Sequence, residues 1–345
     1  MLIKGVLGIG SLLGMLFLFS FPSTHAQSPG NLNLTTSPLP ISLRTKPGTS
    51  ISTDLRVQNS GTATENLKID LYKFRAYGTE GKPQIIDREP GDDYFDWVSF
   101  SQRTFKAEPN VWKTIKMTIN VPSDAAFGYY YAVVFSRADQ RSEAGEQSTA
   151  IVGGSATLVL LEADVPGAKR KISVSSFTSD KKFYEFLPAT FRISLRNQGQ
   201  VHGAPSGTIF ISRGGKQVAT LKVNADGGNI LPSSSRNFSA DWRDGFPVYT
   251  EKEDGERVVL DGNGKPVMGL EWDFDKPLSK LRFGKYTAKL VLAYDDGNRD
   301  VPIEGTLSFW VVPWRILLGI IIVVTLAGIG AWAIFKQIKG KVKKK

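Results

Sequence analysis

Between Leu39 and Val312 the chain alternates apolar and polar residues in short runs. Ile51–Val57 (ISTDLRV) and Leu67–Tyr72 (LKIDLY) keep a period near two, the spacing of a half-buried strand, and Trp112–Val121 (WKTIKMTINV) follows later as a run of strand length. Asn59-Ser60-Gly61 separates the first two runs and reads as a turn, and Tyr129–Phe135 (YYYAVVF) is a further run of strand length. No segment in this range holds a helical apolar period over several turns, and many short strands at near-even spacing predict a β-sandwich architecture. Tyr129, Tyr130 and Tyr131 alternate across their strand, so one face of the trio is expected to be exposed if the sheet is single-sided.

The pattern occurs twice. LRVQNSG (Leu55–Gly61) and AFGYYYAVVF (Ala126–Phe135) open and close the first half; ISLRNQG (Ile193–Gly199) and RFGKYTAKLVL (Arg282–Leu292) open and close the second. Each half reads strand, Asn-x-Gly turn, several strands, Phe-Gly-x-Tyr and a long final strand, which predicts two related immunoglobulin-like sandwiches in tandem. They are expected at 39–163 and 170–312, with 164–169 (DVPGAK) as the linker and 27–38 (QSPGNLNLTTSP) as a flexible polar leader. Residues 247–277, rich in Asp, Glu and Gly, are expected to add a hairpin around Asp261 to the second sandwich.

The two ends follow a different rule. Residues 1–26 combine Lys4, the apolar stretch Gly5–Phe21 and the small-residue ending Thr24-His25-Ala26, the pattern of a signal peptide cleaved after Ala26. Ile316–Phe335 is a charge-free run of twenty residues, enough for one transmembrane helix, with Trp310 and Trp314 at one edge and Trp332 near the other. The lysine-rich tail 336–345 then predicts a single-pass type I topology in the cytoplasmic membrane, with the N-terminal ectodomain outside and the C-terminus in the cytoplasm.

Charge takes its meaning from this layout. The chain carries a formal +10, but Lys4, Arg315 and the six tail lysines account for eight of these charges and leave +2 for residues 27–314. The basic excess therefore belongs to topology and gives no support to a nucleic-acid partner. Absence of cysteine leaves burial to stabilise both sandwiches and suits a bacterial or archaeal surface protein.

Catalytic chemistry has little material. His202 is the one histidine left after signal removal, which leaves neither a histidine-based triad nor a His/Cys zinc constellation, so no catalytic, cofactor-binding or metal site is expected. Paired carboxylates would have to come from Asp92–Asp96 or Asp295–Asp296, and both clusters read first as turns. Neither they nor the turn at Asp261 has a complete calcium-loop spacing. Recognition by surfaces remains. Tyr94, Trp97 and Trp112 are the candidate ligand-binding residues, since aromatic rings stack on sugar faces, and the competing reading is that they belong to the core.

Residues 39–135 resemble the peptidoglycan-binding domain of the WxL-interacting protein family of bacterial cell surfaces. Pro47-Gly48, LRVQNSG, LKIDLYKFRAYGTEG, WVSFSQRTFKAEPNVWKTIKMTINVP and FGYYYAVVF carry the resemblance. The family also has a signal peptide, a second sandwich, a C-terminal membrane helix and a basic tail. The same strands resemble pilus-chaperone-like and major-sperm-protein-like sandwiches, through Asn-x-Gly and Val121-Pro122. What the first resemblance implies is a non-catalytic, membrane-anchored envelope protein that binds cell-wall glycan or a partner surface protein. The alternative is a pilus-chaperone-like assembly factor that pairs through a strand edge. A carboxylate-based glycan hydrolase is the remote third reading.

Overall fold

The computed structural model describes residues 32–139, 154–255, 257–273, 275 and 278–342. The expected signal peptide, the start of the leader and the last three lysines lie outside them. Module one contains β1 (Leu34–Ser37), β2 (Ile41–Thr45), β3 (Ser50–Asn59), β4 (Glu65–Tyr77) and β5 (Lys82–Ile86). A short 3-10 turn, Asp93–Trp97, leads to β6 (Val98–Phe100), β7 (Thr104–Ala107), β8 (Trp112–Asn120), β9 (Phe127–Arg137) and β10 (Gly154–Ala163). These form a four-stranded sheet, β1-β3-β8-β6, against a six-stranded one, β2-β10-β9-β4-β5 with β7 also on β4.

The alternation read from the sequence is what closes this sandwich. On β8, Ile115, Met117 and Ile119 are fully buried while Lys116 is exposed; Leu55 on β3 lies opposite Ile115 and is buried with it. Leu67, Ile69, Tyr131, Val133, Phe135, Val159 and Leu161 answer from the six-stranded sheet. Each such side chain contributes roughly 1.5–3 kcal/mol by leaving water.

The leader is not all leader. Leu34–Ser37 is β1, antiparallel to β3, whereas Ile41–Thr45, only a few residues on, is parallel to β10 in the opposite sheet. Pro38 and Pro40 stand between them. Without amide hydrogens they donate no ladder hydrogen bond, and the chain crosses from one sheet to the other there.

Module two repeats the plan with β11 (Ile172–Ser179), β12 (Phe183–Tyr184), β13 (Ala189–Asn197), β14 (Ser206–Arg213), β15 (Lys216–Val223) and β16 (Ser235–Trp242). After an added hairpin region with β17 (Val248–Glu251), β18 (Glu253–Asp254), β19 (Arg257–Val258) and β20 (Met268–Glu271) come β21 (Gly284–Asp295) and β22 (Asp300–Val311). A three-stranded sheet, β11-β13-β16, faces a five-stranded one, β12-β22-β21-β14-β15, around Phe191, Trp242, Tyr286 and Phe309. The protein is therefore an all-β pair of sandwiches with one C-terminal helix, α1 (Trp314–Val342). Trp314–Lys336 is long and apolar enough to cross a membrane, and its apolar stretch is unburied by the rest of the chain.

The internal repeat has a physical basis. Asn59 donates Nδ2 to the carbonyls of Ala63 (2.7 Å) and Ala107 (3.0 Å) and accepts from Gly61 N (2.9 Å). Asn197 does the same with Val201 (2.8 Å), Ile230 (2.9 Å) and Gly199 N (2.8 Å). Both are 1% exposed, so each Asn-x-Gly turn is a buried bracket between loops distant in sequence. The Phe-Gly-x-Tyr landmark, in contrast, is out of register by one. Tyr129 accepts from Ala126 N and Tyr286 from Phe283 N, which sets Phe127 (φ 70°) in the left-handed position held by Gly284 (φ 109°). Tyrosine geometry, not the Phe-Gly pair, fixes the correspondence.

Replacing Asn59 or Asn197 by Ala leaves two carbonyls and one amide without their partner. Each change is expected to destabilise its own module by about 2–3 kcal/mol, to similar extents, as read by denaturant unfolding of the full chain in detergent. A loss below a few tenths of a kcal/mol at either position would contradict the bracket.

Candidate binding cleft between the modules

The six-stranded sheet of module one is apolar on both faces. Beyond the core-facing residues, Phe74, Ile85, Ala132 and Leu160 form a second buried cluster on its other side, joined by Tyr72, Tyr130, Ala156, Leu158 and, from module two, Leu231. The single-sided expectation for the tyrosine trio is thereby corrected. Tyr129 and Tyr131 face the core, and Tyr130 turns outward but lies edge-on to His202 of module two at 5.8 Å. Module two covers part of this face and leaves a cavity of about 650 Å³ over the rest. Its floor is Phe74, Ile85, Ala156, Leu158 and Leu160; Leu39 and Pro40, in the crossing between sheets, close one end, and the Asp226–Arg236 loop forms the opposite wall.

Three sets of contacts fix the modules around the cleft. Asn237 N donates to the Thr79 carbonyl (2.6 Å) and its Nδ2 to Thr79 Oγ1 (2.8 Å). The Arg236 guanidinium lies against Gly81, where a Cβ would stand 2.4 Å from its Nε, and donates to the Asn229 carbonyl (2.9 Å). Gly81 has φ 72°, a backbone conformation that favours glycine. At the linker, Arg170 pairs with Glu162, both nearly enclosed, while Arg44 reaches Glu162 (3.4 Å) and Asp164 (2.8 Å). The Arg44 guanidinium holds the Asp164 carboxyl below the usual range, chiefly through their hydrogen bond.

One strand edge borders this cleft, touched there by β1 through a side-chain hydrogen bond between Thr36 Oγ1 and Ser155 Oγ (3.3 Å). Along its whole length β10 pairs with β9, Gly154 to Ser136 through Ala163 to Phe127, but β2 covers its other edge only from Val159 to Ala163. Among the described residues no strand pairs with Gly154–Leu158 on that side. The open stretch is about 17 Å long at a rise of about 3.3 Å per residue, and it borders the cavity through Gly154, Ser155, Ala156 and Leu158.

The aromatic candidates are not one group. Tyr94 and Trp97 are partly buried in the 3-10 turn, packed on Tyr129 and on each other with centroids 6.3 Å apart. Burial, with Asp92 nearby, pushes the Tyr94 hydroxyl well up. Trp112 is at the other end of β8. It lies opposite Gln58, whereas Val98, next to Trp97, lies opposite Ile119, about 23 Å along the strand. Its exposed ring carries the Arg56 guanidinium at 4.7 Å.

The acidic clusters serve the local fold. Asp92 binds Lys73 Nζ (3.0 Å) and Glu89 N (2.9 Å), and Asp96 takes Arg88 in a two-pronged pair at 2.7 and 2.9 Å that holds its carboxyl below the usual range. Asp295 accepts from Gly297 N, and Asp296 from Asn298 N and Arg299 N, which lowers the Asp296 carboxyl. Among the described residues no group of three His, Cys, Asp or Glu is placed to hold a metal ion.

No family model matches the chain, and no curated protein matches it. Solved structures with some likeness include the class 5 fimbriae chaperone CfaA, at 17% identity over 69% of this chain and 99% of that one, TM-score 0.34. The CsuC–CsuE chaperone–tip adhesion subunit complex of Acinetobacter baumannii is similar at 12% identity over 79% and 97%, TM-score 0.34. A protein of unknown function from Porphyromonas gingivalis W83 follows at 11% over 79% and 99%, TM-score 0.27. With scores this low, the fold rests on this chain's own strand pairing.

The junction titrates. Burial and the positive charge of Arg170 lower His202 to about 4, and its Nδ1 has no hydrogen-bond partner among the described residues. The folded protein therefore favours neutral His202, and the unfolded chain binds its proton first. Stability present above pH 6.5 is lost as pH falls from there through about 4. In His202→Gln that component disappears. The difference in unfolding free energy between wild type and variant should change between pH 6.5 and 4 and be flat above it; a pH-independent difference would contradict the assignment.

Proposed function

We propose that this is a non-catalytic, membrane-anchored binding protein that takes up an extended segment of a partner surface protein as an added strand on β10. The open Gly154–Leu158 edge carries this reading. Unpaired amides and carbonyls of a strand edge are a template for another chain, and alternate side chains of the incoming strand need pockets. Ala156, Leu158, Leu160, Phe74 and Ile85 supply an apolar floor for them. Five residues of edge match an ordinary strand length. The helix α1 holds the ectodomain at the membrane, and the lysines after it orient the tail to the cytoplasm.

Proline scanning tests the mode of binding. The full chain, carrying a photoreactive residue at Ala76 on the cleft rim, is cross-linked in membranes of the producing cell and the adduct identified by mass spectrometry. Proline at successive positions from Ser155 to Leu158 should split into two sets: positions whose amide faces β9 lose the fold, and those facing the open edge keep the fold and lose the adduct. Adducts unaffected by every folded proline variant would contradict strand addition. Sedimentation of the full chain with purified peptidoglycan, undiminished by those variants and lost on Trp112→Ala, would instead favour the glycan reading implied by the family resemblance.

A further inference from the structure

The outward face of the five-stranded sheet in module two changes character at one end. Along β22 the outward positions run Asp300, Pro302, Glu304, Thr306 and Ser308, and then Trp310, which is 41% exposed. Directly beside Trp310 in register stand Phe183 on β12, 67% exposed, and Lys285 on β21. Phe309, Val311, Tyr184 and Tyr286 point inward, so the three outward residues form one patch: two large rings exposed among the described residues and a lysine. Lys181 and Lys182 are exposed next to Phe183, and neither they nor Lys285 has an ion-pair partner among the described residues. The acids closest in sequence are engaged. Asp180 is bonded to the Tyr184 hydroxyl, and Glu185 pairs with Arg315 (3.5 Å).

What lies against this patch is set by the chain itself. Only Val312 and Pro313 separate β22 from α1, and Val312 N is bonded to the Tyr184 carbonyl (2.7 Å) while Trp314 N is bonded to the Val312 carbonyl (2.7 Å). Two residues span at most about 7 Å and four at most about 14 Å, so Trp310 cannot be far from the point where α1 begins. Headgroup layers are roughly 5–7 Å thick on each side of the hydrocarbon, and aromatic rings with flanking lysines are the side chains that settle there.

We propose that the patch of Phe183, Trp310 and Lys285, with Lys181 and Lys182, rests in the headgroup layer of the bilayer that α1 crosses. It is a lipid-seating surface that fixes the stance of module two on the membrane. The inference rests on the reading of α1 as the anchor, and deepens it from a tether to an oriented mount. A flexible stalk would let the ectodomain tumble; here the sandwich end, the two-residue connection and the aromatic patch together leave it one orientation, with the cleft held at a defined height.

The chain contains no cysteine, so single cysteines can be labelled without background. Fluorophores are placed at Ser308→Cys, beside the patch, at Glu304→Cys, further up the same strand, and at Ala327→Cys within α1. The full chain is reconstituted in vesicles containing phosphatidylglycerol, with a nitroxide on either the headgroup or the acyl chain. Headgroup nitroxide should quench the label at 308 more than the label at 304. In Phe183→Ser/Trp310→Ser the quenching at 308 should fall to the level at 304, while acyl-chain quenching at 327 stays as it was. Equal quenching at 308 and 304 in the otherwise unchanged chain, or quenching at 308 that survives the double substitution, would overturn the seating surface with the anchor intact. Absence of acyl-chain quenching at 327 would overturn the anchor and the surface with it.

Discussion

Two prolines near the start of the described chain stand where β1 has ended and β2 has not begun, and the architecture of module one turns on that crossing. Across Pro38 and Pro40 the N-terminal segment leaves β3 and rejoins the structure on β10, so one segment stitches both sheets together. Since β2 begins only at Ile41, it reaches β10 only from Val159 onward. Among the described residues no strand pairs with the other half of β10 on that side, and the crossing residues Leu39 and Pro40 line the cleft beside it. A longer β2 would close that edge; a chain without the crossing would lose the parallel pairing altogether.

The junction between the modules is held by shape and apolar contact more than by charge. Exposed ion pairs such as Arg44–Asp164 contribute little, and the enclosed Arg170–Glu162 pair must offset its own desolvation. Tyr130 against His202, Leu231 in the small apolar cluster and Arg236 against Gly81 are contacts that cross between the modules. The cleft is thus a consequence of module one being apolar on two faces, one for its core and one for its neighbour.

Local chemistry was legible in the sequence, and long-range pairing was not. Period-two alternation announced the buried positions Leu55 and Val57, and Leu67 and Ile69, Asn59 and Asn197 marked equivalent turns, and the charge-free run after Arg315 marked the apolar helix. The polar leader hid β1, because Leu34–Ser37 becomes a strand only by meeting Val57 and its neighbours. Phe-Gly-x-Tyr gave a one-residue misalignment, since its meaning depends on a hydroxyl reaching back three residues. Grouping Trp112 with Tyr94 and Trp97 failed because nearness in sequence said nothing about opposite ends of β8. The cleft itself left no motif: Phe74, Ile85 and Leu160 read as ordinary core, and only the placement of module two makes them a floor.

Half of β10 borders the cleft with an edge that no strand covers among the described residues, and amide hydrogen exchange resolved by residue in the full chain tests this most directly. Amides of Val159–Ala163, flanked by both β9 and β2, should all be protected to the limit set by unfolding of module one. Across Gly154–Leu158 protection should alternate, with amides that face β9 slow and those that face the cleft exchanging orders of magnitude faster. Uniform protection along the whole of β10 in the unbound protein would mean that the edge is already covered, and the account of the cleft would not stand.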